Sequence, residues 1–246
     1  MDEVGARSTE YMNIPVAIDR KMDIYVNNIF YTTLYLTPSQ VEEAVIGLLY
    51  TDKLVKNLND IKSIKYGEDK LYVDADVARE VKRVVYDECV SIRDVEDRVE
   101  DNGYRLSWKN IVDIFRDFNK STMSIRRGLA IHTTALYIHG GEKLFINDVS
   151  RHVAILKILG MALKRGVDTS RSVLITSGRV SSDMIYRAAI LRIPIVISLH
   201  GPLSSGLSAA LLSGITFIAN LKRVPEKGLR VLTNEFRILD IPNKEV

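Results

Sequence analysis

Two short segments combine an arginine with small and polar residues where a strand is expected to run into a helix. One is residues 146–152, Ile-Asn-Asp-Val-Ser-Arg-His, and the other is residues 176–179, Thr-Ser-Gly-Arg. Free N–H groups and the helix dipole attract anions at a helix N-terminus, and a guanidinium adds directed hydrogen bonds. Both segments therefore predict anion binding. The residues assigned to it are Arg151, Ser177, Gly178 and Arg179.

Asp148 and His152 lie within five residues of each other, and an aspartate with a histidine can act as a general acid and base. In the alternative interpretation, Asp148 pairs with Arg151 at the helix start, and His152 packs or faces solvent. The sequence leaves both interpretations open.

Cys89 is the only cysteine in the chain. One thiol excludes an internal disulfide and any multi-thiolate zinc or iron–sulfur site within one chain, and no metal site is predicted. The neighbouring carboxylates of Asp87 and Glu88 should raise the thiol pKa, which is the reverse of what a reactive cysteine needs. Its neighbours alone favour a structural role for Cys89.

Several function classes lack their motifs. The chain has no Gly-x-Ser-x-Gly elbow of serine hydrolases, no His-x-Glu with Pro-Cys-x-x-Cys of zinc deaminases, and no glycine-rich phosphate loop. Its basic turns lack interleaved aromatic residues, which argues against a nucleic-acid partner. No apolar run reaches the ~20 residues that a membrane helix needs, and the first residues lack the apolar region of a signal peptide. We therefore predict a cytoplasmic protein without a membrane partner.

Acidic and basic side chains are distributed unevenly along the chain. Residues 1–119 hold 16 basic and 23 acidic side chains, whereas residues 120–246 hold 18 and 8. Such asymmetry favours either docking of the two halves or an anionic ligand on the second half. A solvated basic surface would give the same counts.

The elements that must position these residues are clearest in the second half. Continuous apolar runs, which are typical of buried parallel strands, alternate there with helical segments. This pattern predicts an α/β fold, in which a mixed sheet has helices on both faces. In such sheets, ligands bind beyond the carboxyl ends of the strands. The predicted strands are Val173–Ile175, Ile193–Ser198 and Ile215–Ala219.

The first half shows hairpins and helices instead. Asn27-Asn28 and residues 67–69 separate short apolar runs, which predicts two hairpins. Thr37 is expected to cap a helix that starts at Pro38, and Ser107 a second helix to about Phe118. We predict a smaller N-terminal α+β domain over residues 1–119, including the Cys89 loop, and an α/β core domain over residues 120–246.

Seven features recur together in one known family, and the combination of the Asp148 and Ser177 segments at this spacing is fairly specific. They are Thr37-Pro38 before a helix ending Gly47-Leu48-Leu49, His132 in a strand, Asp148–His152 with Lys157 and Gly160, Ser177–Ser182, Ile193-Pro194, Gly214-Ile215-Thr216 and Arg237-Ile238. Over most of its length the chain thus resembles the formate dehydrogenase accessory sulfurtransferase (FdhD) family.

The resemblance implies a cytidine-deaminase-like core and a sulfurtransferase function. Family members take persulfide sulfur from a cysteine desulfurase and pass it to the molybdenum or tungsten bis(molybdopterin guanine dinucleotide) cofactor of formate dehydrogenase or another molybdopterin oxidoreductase. Cys89 would carry the persulfide, and GDP should mimic the bound cofactor. The implied cofactor-binding residues are His132, Arg151, His152, Ser177, Gly178, Arg179, Asn220, Leu221, Lys222, Arg223, Val224 and Pro225.

The chain departs from the family at its cysteine loop. Where the family has Cys-Gly-x-Cys-Gly, this chain has Cys89-Val90-Ser91-Ile92-Arg93. The second cysteine and both glycines are missing. We therefore identify it as a divergent member. The alternative function is a cofactor- or nucleotide-binding carrier or chaperone without sulfur chemistry. Buried-type strands with few edge charges favour a homodimer.

Overall fold

The first half of the chain is rich in antiparallel strands. In the computed structural model, which describes residues 8–84, 97–221 and 227–242, strands β1 and β2 form an antiparallel pair. The elements up to residue 75 are β1 (Ser8–Tyr11), β2 (Ile14–Ala17), β3 (Arg20–Val26), β4 (Ile29–Leu36), α1 (Val41–Thr51), β5 (Ile61–Tyr66) and β6 (Lys70–Ala75).

The second half alternates strands and helices. Its elements are β7 (Leu106–Ser107), α2 (Trp108–Gly128), β8 (His132–Ile138), β9 (Lys143–Asp148), α3 (Arg151–Lys164), β10 (Ser172–Thr176), α4 (Ser182–Ile190), β11 (Ile195–Ser198), α5 (Ser204–Ser213), β12 (Thr216–Asn220), β13 (Leu229–Val231) and β14 (Ile238–Leu239). No helix in the described ranges is long and apolar enough to cross a membrane.

Contacts group the chain into two compact units. The first comprises Met1–Glu88, Ile125–Thr134 and Leu144–Val167, and the second comprises the remaining segments. The boundary predicted after residue 119 lies inside α2. Because a grouping by contacts does not test whether a segment folds by itself, the two predicted domains stay a prediction.

A four-stranded sheet of order β4-β3-β6-β5 belongs to the first unit. The hairpin between β3 and β4 turns at Asn27 and Asn28, whose φ angles of 49° and 65° are left-handed. Two consecutive left-handed residues match the twist of the flanking strands. After glycine, asparagine adopts this conformation most readily. Both predicted hairpins, β3–β4 and β5–β6, are confirmed.

The predicted start of α1 is wrong. The helix begins at Val41, and its N-cap is Gln40, which has a left-handed φ of 46° and makes no side-chain cap. Thr37 is fully buried, and its backbone N–H and side-chain oxygen are bonded to Asp148 and Val149. Partners more than 100 residues away therefore replace the local capping bond.

The second predicted helix is longer than expected. It runs from Trp108 to Gly128 rather than ending near Phe118, although Ser107 caps it as predicted by accepting from the backbone N–H of Asn110 at 3.2 Å. Beyond Phe118, the Thr122 hydroxyl donates to the Phe118 carbonyl at 2.7 Å. This bond to the preceding turn satisfies the hydroxyl inside the helix.

Helices α1 and α3 of the first unit pack closely through two glycines. A Cβ added to Gly47 would lie 2.0 Å from the Leu156 carbonyl oxygen, and one added to Gly160 would lie 1.9 Å from that of Glu43. Only glycine leaves room for such contacts between helix backbones.

A six-stranded sheet has the order β13-β12-β11-β10-β8-β9. Strands β10, β11 and β12 are parallel, and β13 is antiparallel to β12. The predicted mixed α/β fold is confirmed, and the parallel strands are buried along their whole length, as their continuous apolar runs indicate.

Replacing Gly160 by alanine should separate α1 from α3, because the new methyl group meets a backbone carbonyl that cannot move alone. We expect Gly160→Ala to lower the free energy of unfolding by about 2–3 kcal/mol, measured by urea denaturation. The matched control is Gly128→Ala, whose Cβ would meet nothing within 4 Å and should change stability by less than about 0.5 kcal/mol. Equal losses in both variants would contradict the close contact.

Candidate functional site

The carboxyl ends of three parallel strands lie side by side in the second unit. Thr176 of β10 is in register with Ser198 of β11, which is in register with Ala219 of β12. We call the residues at these ends the strand-end surface. It comprises Ser177, Gly178, Arg179, Ser198, His200 and Asn220. The sequence placed a ligand site here, and the structure brings these residues to one edge of the sheet.

Ser198 connects the first two strand ends. Its hydroxyl oxygen lies 3.0 Å from the carbonyl oxygens of both Gly178 and His200 and accepts from the His200 backbone N–H at 3.1 Å. The Gly178 N–H in turn donates to the Thr176 hydroxyl at 3.2 Å. These bonds fix the backbone around Gly178 and His200, whereas the Arg179 side chain is exposed. The surface thus has a rigid backbone and a cation open to solvent.

Two helices begin directly after these turns. The N-cap residues are Ser181 for α4 and Leu203 for α5, and neither caps its helix with a side chain. Ser150, by contrast, accepts from Val153 N–H at the start of α3. The first N–H groups of a helix need partners from outside it. At α4 and α5 an anion is a suitable partner, since the helix dipole favours negative charge there.

Gly206 holds the start of α5 against the turn that precedes α4. A Cβ at this position would lie 2.4 Å from the Val180 carbonyl oxygen and 3.2 Å from its carbon. The spacing between the two helix starts therefore depends on the absence of a side chain at Gly206.

Asn220 supplies an acceptor without a partner at the third strand end. The residue is only 5% exposed, and its Oδ1 is fully buried with no hydrogen-bond partner in the described part of the chain. Buried side-chain oxygens in proteins are usually bonded to protein, water or ligand. The surface thus combines donors at two helix starts with one unused acceptor, which suits a ligand that is anionic and also carries N–H groups.

The first unit holds the other predicted residues. Asp148 and Lys157 are both fully buried, with 2.5 Å between the carboxylate Oδ2 and the ammonium. Burial raises the pKa of Asp148 and lowers that of Lys157, and the attraction between the two charges opposes both shifts. Because the Asp148 carboxylate is closed to solvent and paired with an ammonium, this geometry does not favour a general-base role, and the acid–base hypothesis stays a prediction.

Arg151 and His152 form the first turn of α3, and His132 begins β8; all three are partly buried. They belong to the first unit, whereas Ser177, Gly178, Arg179, Asn220 and Leu221 belong to the second. That all of them serve one site stays a prediction. Five further predicted residues lie outside the described ranges. They are Cys89, Lys222, Arg223, Val224 and Pro225.

Sequence reasoning missed three residues that hold these regions together. The sequence predicts Thr37 as a helix cap, gives Lys157 only within a family motif, and places Ser198 at the end of a strand. The sequence signal is a polar residue at the end of an apolar run for Thr37 and Ser198, and a lysine inside the apolar run of a helix for Lys157. Within the described segments, no group of three His, Cys, Asp or Glu side chains could hold a metal ion.

Comparison with known proteins gives consistent results. The model of the FdhD/NarQ family matches residues 17–239. A Wolinella succinogenes protein named sulfur carrier protein FdhD is 25% identical over 217 residues, covering 81% of this chain and 75% of the relative. A protein of the same name from Methanothermobacter thermautotrophicus is 30% identical over 213 residues, covering 82% and 84%.

A solved structure is also similar. It is described as a formate dehydrogenase accessory protein from Desulfotalea psychrophila, and it superposes with a TM-score of 0.74 at 26% identity. The match covers 95% of this chain and 97% of the other.

Gly206→Ala should push α5 away from the Val180 carbonyl and so disturb both helix starts of the strand-end surface. We expect a loss of about 1–3 kcal/mol in the free energy of unfolding. Gly201→Ala is the control, because its Cβ would meet nothing within 4 Å. Thermal denaturation of both variants measures the difference, and an unchanged melting temperature for Gly206→Ala would disprove the close approach.

Proposed function

Because this chain belongs to the FdhD/NarQ family, we propose that it is a sulfur carrier that serves a formate dehydrogenase or another molybdopterin oxidoreductase. It takes sulfur from a cysteine desulfurase and delivers it to a molybdenum or tungsten bis(molybdopterin guanine dinucleotide) cofactor. The family match over residues 17–239 carries this proposal, and two relatives named sulfur carrier protein FdhD support it.

Cys89 carries the sulfur in this proposal. Its thiolate attacks the terminal sulfur of the desulfurase persulfide, a new S–S bond forms on Cys89, and the desulfurase cysteine leaves as a thiolate. Delivery to the metal as sulfide then takes two electrons, which a thiol reductant supplies. Cys89 lies outside the described residues, so its role rests on the family and on its being the only thiol.

The strand-end surface binds the anionic part of the cargo. A guanine dinucleotide carries phosphates for Arg179 and the N-termini of α4 and α5. Its base also carries N–H donors, one of which can satisfy the Asn220 Oδ1 that has no partner in the described chain. We add Leu221, Lys222, Arg223, Val224 and Pro225 as a neighbouring segment on the strength of the family resemblance.

In the first unit, we propose that Arg151, His152 and His132 also bind the cargo. The guanidinium of Arg151 suits a phosphate, and the α3 N-terminus favours negative charge. We further propose that the α/β core, with helices on both faces of its sheet, is related to cytidine deaminases. We also propose that the protein acts in the cytoplasm and pairs with a second copy.

One observation favours a second candidate function. Ile92 stands where the family has its second loop cysteine, so the chain has no second thiol to resolve or relay a persulfide on Cys89. In this alternative, the protein binds the cofactor or its nucleotide as a carrier or chaperone without sulfur chemistry.

Incubation with a cysteine desulfurase and cysteine should add one sulfur to Cys89. Intact mass spectrometry is expected to show an adduct of one sulfur atom on the wild-type protein and none on Cys89→Ser. Cys89→Ser should also fail to restore formate dehydrogenase activity in cells that lack the carrier. Full rescue by Cys89→Ser, or no adduct on the wild type, would contradict sulfur transfer by Cys89. The alternative function, a carrier or chaperone without sulfur chemistry, would then remain.

GDP should raise the melting temperature, because a ligand that binds only the folded state stabilises it by about 2.7 kcal/mol at a hundredfold excess over Kd. Arg179→Ala should remove most of this shift, since the exposed guanidinium meets the phosphates. Cys89→Ser should keep it. Absence of any shift at millimolar GDP would count against both candidate functions.

A further inference from the structure

Thr37 makes three hydrogen bonds to one other part of the first unit. Its N–H donates to Asp148 Oδ2 at 3.2 Å, its hydroxyl oxygen accepts from the Val149 N–H at 3.1 Å, and its carbonyl accepts from the Lys157 ammonium at 2.8 Å. The residue is fully buried. The segment after β4 is therefore bonded at three points to the stretch that runs from the end of β9 into α3.

Asp148 and Lys157 complete this arrangement, which we call the Thr37 clamp. The Lys157 ammonium bridges the Asp148 carboxylate and the Thr37 carbonyl, and Asp148 Oδ1 accepts from the Ser150 N–H at 2.7 Å. The consecutive N–H groups of Val149 and Ser150 are thus both bonded to the clamp. Ser150 is the N-cap of α3, so the clamp fixes the backbone where that helix begins.

Stability alone does not account for a fully buried ion pair. Apolar residues of similar volume often stabilise a protein at least as well, because removing two charges from water offsets their attraction. A buried pair with directed hydrogen bonds does what an apolar pair cannot, since it holds two backbone segments in one register. Here the held segment leads directly into Arg151 and His152.

We propose that Thr37 and Lys157 are positioning residues for Arg151 and His152. They hold the start of α3 so that the Arg151 guanidinium and the leading N–H groups of the helix meet the phosphates of the cargo in one geometry. This inference rests on the proposed function, in which Arg151 and His152 bind the cargo. It adds residues that never touch the cargo and act through the backbone of Val149 and Ser150.

The test compares Thr37→Val with Thr37→Ser. Valine has nearly the same shape but removes the oxygen that accepts from Val149, whereas serine keeps it. We expect Thr37→Val to speed hydrogen–deuterium exchange of the Val149 and Ser150 amides and to raise the GDP Kd about tenfold, which corresponds to about 1.4 kcal/mol. Thr37→Ser should keep both close to the wild-type values. Exchange is read by NMR and affinity by titration calorimetry.

Ile158→Ala separates positioning from general destabilisation. Ile158 is a fully buried neighbour of Lys157 in α3 and makes none of the clamp bonds. The Ile158→Ala substitution should lower the melting temperature yet leave the GDP Kd unchanged at a temperature where the protein is folded. If Ile158→Ala weakens GDP binding as much as Thr37→Val, the role of Thr37 is only structural and the proposal is wrong.

A double-mutant cycle with Arg151→Ala shows whether Thr37 acts through Arg151. Because the clamp works by placing Arg151, the double variant should bind GDP little worse than Arg151→Ala alone, and the two effects should not add. Additive effects would overturn the proposal. If the wild type binds no GDP, the proposed function fails, and the exchange of Val149 and Ser150 still decides whether the clamp orders the start of α3.

Discussion

The contact between helices α1 and α3 is the constraint on which the first unit depends. Gly47 and Gly160 let the two backbones meet, and a methyl group at either position would collide with a carbonyl oxygen. At this separation, Lys157 of α3 reaches the Thr37 carbonyl four residues before α1. The glycine contact and the hydrogen bond from Lys157 to Thr37 therefore belong together, since both need the two helices at this short separation.

The second unit uses the same device beside its own candidate site. Gly206 lets α5 touch the Val180 carbonyl at the turn before α4, while Ser198 bonds the turns after β10 and β11. In both units a helix glycine contacts a backbone carbonyl close to residues that we assign to the cargo. Backbone contacts of this kind leave little freedom, so the turns and helix starts that carry the candidate residues are held in place by the packed helices and strands.

Buried cations hold the ends of several segments. Arg237 is fully buried and donates to the carbonyl oxygens of Gly214 at 2.6 Å and Val99 at 3.2 Å. Lys157 does the same for Thr37. An ammonium or guanidinium that bonds backbone carbonyls avoids the large cost of burying an unpaired charge. The basic second half of the sequence is thus partly a structural feature, in addition to its proposed role in binding an anion.

Local sequence was enough to predict the parallel strands β10 to β12, both hairpins, the Ser107 cap of α2 and the strand-end location of Ser177 to Arg179. These features follow from local periodicity and turn chemistry, which neighbouring residues fix. Tertiary contacts, in contrast, bond Thr37 to Asp148 and Val149 instead of to the start of α1, and they pair Asp148 with Lys157. A buried polar group cannot bond to water, so it needs a complete set of hydrogen-bond partners from the protein. For Thr37 and Asp148 these partners lie far away in the sequence, where local patterns cannot reveal them.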